Sequence, residues 1–178
     1  MKKQIEPTTA VVPCPVVLLS VGNGTDANVL TVSWIANVCS DPPTVAVGIR
    51  PTRYSHTLLK QSNDFVLNIP SVNMIEAVVR CGSVSGREHD KFAECSLTAT
   101  PSSAVRSPAI QECPIHIECK VRNVIPLGSH DLFLGGVVSV SVDPDVLDSN
   151  GRLDVSAASL LTYVPLAGEY WSLRGRVR

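Results

Sequence analysis

Aromatic residues, net charge and long apolar runs are all scarce in this chain, and each shortage removes a class of function. Phe, Trp and Tyr together make up 4% of the 178 residues, too few for a base-stacking platform. Lys and Arg number 15 against 16 Asp and Glu, a formal net charge of −1 with the signs interspersed. A dedicated nucleic-acid partner needs a basic face, so none is expected. No segment approaches the ~20 consecutive apolar residues that span a bilayer, and no membrane partner is expected either. In the opening MKKQIEPTTAVVPCPVVLLSVG, Glu6, Pro7, Pro13 and Pro15 interrupt the apolar stretch that a signal helix requires. The expectation is a cytoplasmic protein.

Chemical signatures are thin as well. No Cys-x-x-Cys pair occurs, which removes zinc-ribbon and thioredoxin-type motifs. The phosphate loops GxGxxG and GxxxxGK[S/T] are absent. Neither a Ser–His–Asp arrangement nor a convincing carboxylate pair stands out. The six cysteines (Cys14, Cys39, Cys81, Cys95, Cys113 and Cys119) are expected to stay reduced in a chain without a secretory signal. Cys113-x-x-His116-x-x-Cys119 comes nearest to a ligand set, but its segment alternates as a strand does. Alternation turns His116 away from both sulfurs, so no metal is expected and buried thiols are the plainer reading.

What is present points to strands. Hydrophobic residues make up 44% of the chain against 17% charged, with abundant Val and with 13 Pro and 11 Gly to mark turns. Residues 15–22 form a continuous apolar run, and NGTD turns the chain into a second strand over 28–38. There Val29, Thr31, Ser33 and Ile35 share one face, and Leu30, Val32, Trp34 and Ala36 the other. Further strands are predicted at 44–49, 64–69, 114–125 and 130–142, and a short helix near Tyr54, Leu58 and Leu59. Ser71 can cap a second helix through VNMIEAVVRC, with Gly82 at its left-handed end. Residues 96–112 read as polar and irregular, and 153–164 as a short apolar segment. One domain over 1–178 is expected: mainly β with short helices, arranged as an antiparallel barrel.

Three stretches place polar side chains beside strand ends. TVSW (31–34) offers hydroxyls, backbone groups and an indole surface, although a half-buried strand also favours Thr. GIRPTRYSHTLLK (48–60) runs from a strand into a helix start, where free N–H groups and arginines suit an anion. A solvated helix cap is the plainer alternative there. CGSVSGREHDKF (81–92) combines glycines with serine hydroxyls, as an anion nest does, or it simply ends a helix.

In this order, T-x-S-W, R-P-x-R-Y-S-H and C-G-x-x-S-G-R-x-x-D-K-F resemble the flavin reductase-like family of FMN-binding split barrels. The flavoredoxin and ferric-reductase-like branch is especially similar. The late segment SHDLFLGGVVSV (129–140) agrees, and the resemblance runs from about Pro15 to Tyr170. It implies a split β-barrel that binds FMN. Thr31, Val32, Ser33 and Trp34 would then lie along the isoalloxazine ring. Arg50, Arg53, Tyr54, Ser55 and His56 would meet the ribityl chain and phosphate. Ser83, Ser85 and Gly86 would sit near the flavin tail, and Lys91 would reach polar flavin atoms. His130 would stand on the substrate side, where a donor or electron partner approaches. No catalytic side chain is implied, because the flavin carries the redox chemistry.

The resemblance also implies a homodimer and an oxidoreductase that moves electrons from NAD(P)H or a redox protein to an acceptor. A reductase that exchanges its flavin and a carrier that keeps FMN tightly bound both fit, and the RPTRYSH and SGREHDKF stretches favour the second. An FMN-binding carrier or sensor without NAD(P)H activity is the alternative from a different class.

Overall fold

Within the apolar run near the N-terminus, residues 16–21 are buried on both sides, and Ser20, the polar residue among them, donates its hydroxyl to the Pro108 carbonyl. The computed structural model describes residues 1–173 and 177. Arg174, Gly175, Arg176 and Arg178, the end of the expected 1–178 domain, lie outside the described residues. Strands β1 (Cys14–Pro15), β2 (Val17–Val21), β3 (Asn28–Val32), β4 (Ile35–Ser40) and β5 (Pro43–Ile49) lead into helix α1 (Tyr54–Ser62). After β6 (Asp64–Ile69) come α2 (Ile75–Ser83), α3 (Lys91–Glu94), β7 (Ala99–Thr100) and β8 (Ala109–Ile110). Two long strands, β9 (Ile115–Pro126) and β10 (Asp131–Val142), precede α4 (Val155–Ala158), β11 (Leu161–Val164) and β12 (Glu169–Ser172).

Seven strands form one antiparallel sheet in the order β3-β2-β6-β9-β10-β5-β4. Its two edges, β3 and β4, are consecutive in the chain and separated only by Ser33 and Trp34. The sheet therefore curls until its first and last strands meet at that corner, which makes it a split barrel. A smaller sheet, β1-β11-β12, stands beside it, and β7 pairs with β8.

Alternation along β2 sends Val17, Leu19 and Val21 into the barrel, where they meet Leu30, Val47, Phe65, Leu67 and Phe133. Val16 and Leu18 point outward against Val78 and Cys81 of α2, with Met74, Ile110 and Cys113 completing that layer. The irregular segment 101–107 is held by two buried carboxylates. Glu118 accepts the Ser103 and Ala104 N–H groups, and Asp64 accepts the Ser107 N–H at 3.0 Å.

Three local expectations are corrected. The strand predicted over 28–38 is two strands, because its halves pair with opposite edges of the sheet: β3 with β2, and β4 with β5. Ser71 does not cap α2; its hydroxyl bonds the Asn73 side chain, and a 3-10 turn at Val72–Met74 precedes the helix. Gly82 is not left-handed, since α2 continues through it to Ser83. It is glycine because β3 passes so close that a Cβ there would sit 3.3 Å from the Thr31 Cβ.

Gly135 answers a tighter constraint. A Cβ at this position of β10 would stand 2.5 Å from Cζ of Phe65, which is wholly buried. Gly135→Ala is expected to destabilise the fold by about 1–3 kcal/mol through overpacking. A urea titration should show a lower midpoint with an unchanged slope, and a midpoint equal to wild type would show that Phe65 has room to move.

Candidate functional site

Where the sheet closes, the start of α1, the end of α2 and the loop before α3 meet around two adjoining cavities. The first, about 310 Å³, is walled by Arg50, Arg53, Tyr54 and Ser55 on one side and by Ser85, Gly86 and Lys91 on the other. The second, about 440 Å³, runs along Thr31, Val32, Ser33 and Trp34 and reaches Ser83 and His130. Leu30, Arg50 and Arg53 line both, so the two form a single cleft.

The first cavity is cationic. Arg50, Arg53 and Lys91 line it without a single carboxylate among its walls. None of the three cations forms an ion pair with a carboxylate among the described residues. Arg53 occupies the N-cap position of α1 and its side chain caps nothing, which leaves the first N–H groups of a nine-residue helix without a side-chain acceptor. Charge and helix end act in the same direction and favour an anion.

Lys91 is buried, and its ammonium donates to the carbonyls of Val29 at 2.9 Å and Cys81 at 2.8 Å. Burial pushes its pKa down; the Cys81 thiol opposes this and the Arg53 guanidinium adds to it. On the opposite wall, Asn28 donates to the Ser55 hydroxyl at 2.7 Å. Gly86 passes so near that a Cβ there would lie 2.0 Å from the Asn28 side-chain oxygen. Only a glycine lets that loop close over the cavity.

The second cavity is aromatic at its far end. The Trp34 ring lies 6.5 Å from that of Tyr163, which lies 5.2 Å from Tyr170. Gly48 of β5 lies against Trp34, where a Cβ would stand in ordinary contact with the Trp34 Cβ at 3.4 Å. Thr31 donates its hydroxyl to the Val78 carbonyl and so ties the cavity floor to α2. His130 borders this end, and burial and then Arg50 lower its pKa, which favours the neutral ring.

Of the residues singled out in the sequence, His56 alone is not brought to the cleft. One residue further along α1 than Ser55, it points into the protein, where its ring meets Phe133 edge-on at 5.3 Å. Its Nε2 lies 2.8 Å from the Asp131 carboxylate, and Lys60 approaches the same oxygen at 3.6 Å. His56 thus fastens the start of α1 to β10 instead of facing a ligand. Cys113 and Cys119 lie in the outer and inner apolar layers, while the His116 ring bonds the Ile110 carbonyl at 2.8 Å. The three side chains do not converge.

Sequence reading missed Asn28, Tyr163 and Tyr170. Asn28 carried a usable signal, an amide opening an apolar strand right after a turn. The tyrosines carried none, because β11 and β12 reach the cleft only through their pairing in the smaller sheet. Arg87 was also passed over; its guanidinium lies 5.5 Å from the Tyr54 ring and donates to the Thr52 carbonyl, spanning the cavity rim.

A barrel corner holding a cationic cavity joined to an aromatic one is the framework of a flavin-binding split barrel, and comparison with known proteins agrees. Residues 9–164 match the family model described as "Flavin reductase like domain", and the chain belongs to that family. The flavoredoxin of Desulfovibrio vulgaris (Miyazaki F) superposes with a TM-score of 0.94 at 28% identity, covering 100% of this chain and 96% of that one. The FMN-binding protein from Thermus thermophilus, solved with bound 1-cyclohex-2-enone, gives a TM-score of 0.83 at 25% identity over 100% and 96% of the two chains. An uncharacterized protein of Archaeoglobus fulgidus is 33% identical over 114 residues; the match spans 64% of each chain. No helix among the described residues is long and apolar enough to cross a membrane.

The His56–Asp131 pair has a pH signature. The His56 hydrogen bond, with smaller help from Lys60, holds the Asp131 pKa below its usual value against the opposing effect of burial. A carboxylate so depressed stabilises the fold above its unfolded pKa of about 3.9, and that contribution is lost as pH falls through the lower folded value. Asp131→Asn should therefore melt at a lower temperature than wild type at neutral pH. The gap should narrow as melts are repeated from about pH 4 downward. A gap that stays constant with pH would assign the loss to packing alone.

Proposed function

We propose that residues 1–178 form one FMN-binding unit that moves electrons between a reduced donor and an acceptor. The observation that carries this reading is the uncompensated charge of the cleft: Arg50, Arg53 and Lys91 face one cavity with no carboxylate among its walls, next to an aromatic cavity. Three cations and a free helix end fit a dianionic phosphate, and a Trp–Tyr surface fits a flat ring, so the donor set suits FMN. Bound FMN would supply the hydride and electron transfer.

The chain's own residues bind and orient. Arg50 and Arg53 meet the phosphate, helped by the N–H groups at the start of α1 and by the Ser55 and Ser85 hydroxyls. Tyr54, Ser83 and Gly86 flank the tail. Lys91 spends two donors on carbonyls and has one left for the cleft. Thr31, Val32, Ser33 and Trp34 border the ring, and α1 keeps its position because His56 is pinned to Asp131.

A further hollow of about 520 Å³, lined mainly by apolar side chains, adjoins the far side of Trp34 and His130. It supports an approach by NAD(P)H, or by the substrate of a redox partner, from that side. The long run of exposed positions along edge strand β4 supports a second copy of the chain as partner.

Two measurements test the reading. Purified protein should carry or take up FMN, and anaerobic titration with NADH and NADPH should bleach it. Flavin that binds but resists both nucleotides leaves a carrier or sensor, and failure to bind FMN ends the proposal. Arg50→Ala and Arg53→Ala should each weaken FMN binding by about 1.5–3 kcal/mol, the worth of a charge-assisted hydrogen bond, while riboflavin, which lacks the phosphate, binds nearly as before. Equal losses for both flavins in a fluorescence titration would remove the arginines from the phosphate site.

A further inference from the structure

The geometry points to Cys81 and Cys95 as an oxidisable dithiol that closes into a disulfide when the protein meets a small diffusible disulfide. Cys81 lies in the last turn of α2 and Cys95 caps α3, with their sulfurs 3.8 Å apart. A disulfide needs about 2.05 Å, so closure asks for a displacement of roughly 1.8 Å between two short helix ends. Both cysteines are free thiols; Cys81 is fully buried and Cys95 partly exposed, which gives the pair one accessible and one protected member.

The thiols bracket the segment that contains Ser85 and Gly86, so the bond would turn one wall of the cationic cavity into a covalent loop. Lys91, inside that loop, already donates to the Cys81 carbonyl and holds the two ends in register.

The chemistry runs in two exchanges. Cys95 attacks a sulfur of the small disulfide, forms a mixed disulfide and releases one small thiol. Cys81 then attacks the Cys95 sulfur, expels the second small thiol and completes the internal bond. Two protein thiols are oxidised, one disulfide is reduced to two thiols, and the protein's two protons leave on them. Burial, and next to it Cys95, pushes the Cys81 pKa up to about 12, although Lys91 and Arg80 oppose this. Few Cys81 thiolates are present at neutral pH, so the second exchange is slow and the mixed disulfide on Cys95 accumulates first. No step involves a cofactor, and the inference stands or falls independently of the flavin reading.

The test is peptide mass mapping of the native protein after incubation with oxidised glutathione. A glutathione adduct on Cys95 should appear early and give way to a linked Cys81–Cys95 peptide pair, lighter by two hydrogens. Cys81→Ser should stop at the adduct. Cys95→Ser, a change at a partly exposed position, should leave Cys81 reduced. Tryptic cleavage after Arg87 should slow several-fold in the linked protein and recover with dithiothreitol. A persistent adduct in wild type, a link seen only after denaturation, or a Cys81 thiol that reacts equally fast in Cys95→Ser would overturn the pairing. Cleavage after Arg87 at the unlinked rate would overturn the fastening of the wall.

Discussion

The sheet has to bury both of its faces along β2, β3 and β6, and most of the molecule follows from that need. Odd residues of β2 fill the barrel while even ones require a cover, and α2 with the segment around Met74, Ile110 and Cys113 supplies it. Once α2 lies against β3, Gly82 and Thr31 are pressed together, and the end of the helix is fixed beside the corner where the sheet closes. Each large side chain that moves from water into these layers contributes about 1.5–3 kcal/mol. Such packing can hold a strained or charged feature at the rim, where the side chains alone would not.

The cleft is a feature of this kind. Three cations share one cavity with no carboxylate in its walls, an arrangement that local electrostatics disfavours and that an incoming anion relieves. The chain tolerates it because the residues around the cavity are fastened to the rest of the fold. Lys91 is held by backbone carbonyls, α1 by His56 and Asp131, and Gly86 by its fit over Asn28. The aromatic end is assembled differently: Trp34 sits at the break between β3 and β4, and the tyrosines come from the smaller sheet.

Much of the fold was legible because alternation is a local property. Strands at 44–49, 64–69, 114–125 and 130–142 lie within a residue or so of those observed, since each shows its apolar or alternating pattern within consecutive residues. The break at Ser33–Trp34 was not legible, because alternation continues smoothly across it; only the different pairing partners on either side divide it. Gly82 was assigned a turn because a glycine near a helix end usually marks one. Its actual reason, the approach of Thr31, lies on another element.

Composition and alternation were enough to indicate a strand-rich barrel, because strand periodicity is written in consecutive residues. The flavin-type reading and its candidate cleft residues came from the resemblance of three short polar stretches, taken in order, to the flavin reductase-like family. The three-dimensional packing alone decided which side chains face that cleft. Ser55 and His56 are neighbours in sequence, yet a helix turns about 100° per residue, so one reaches the cavity and the other the core. Tyr163 and Tyr170 join the site, and Cys81 meets Cys95, only because separate elements converge in space, a property that no single stretch of the sequence encodes.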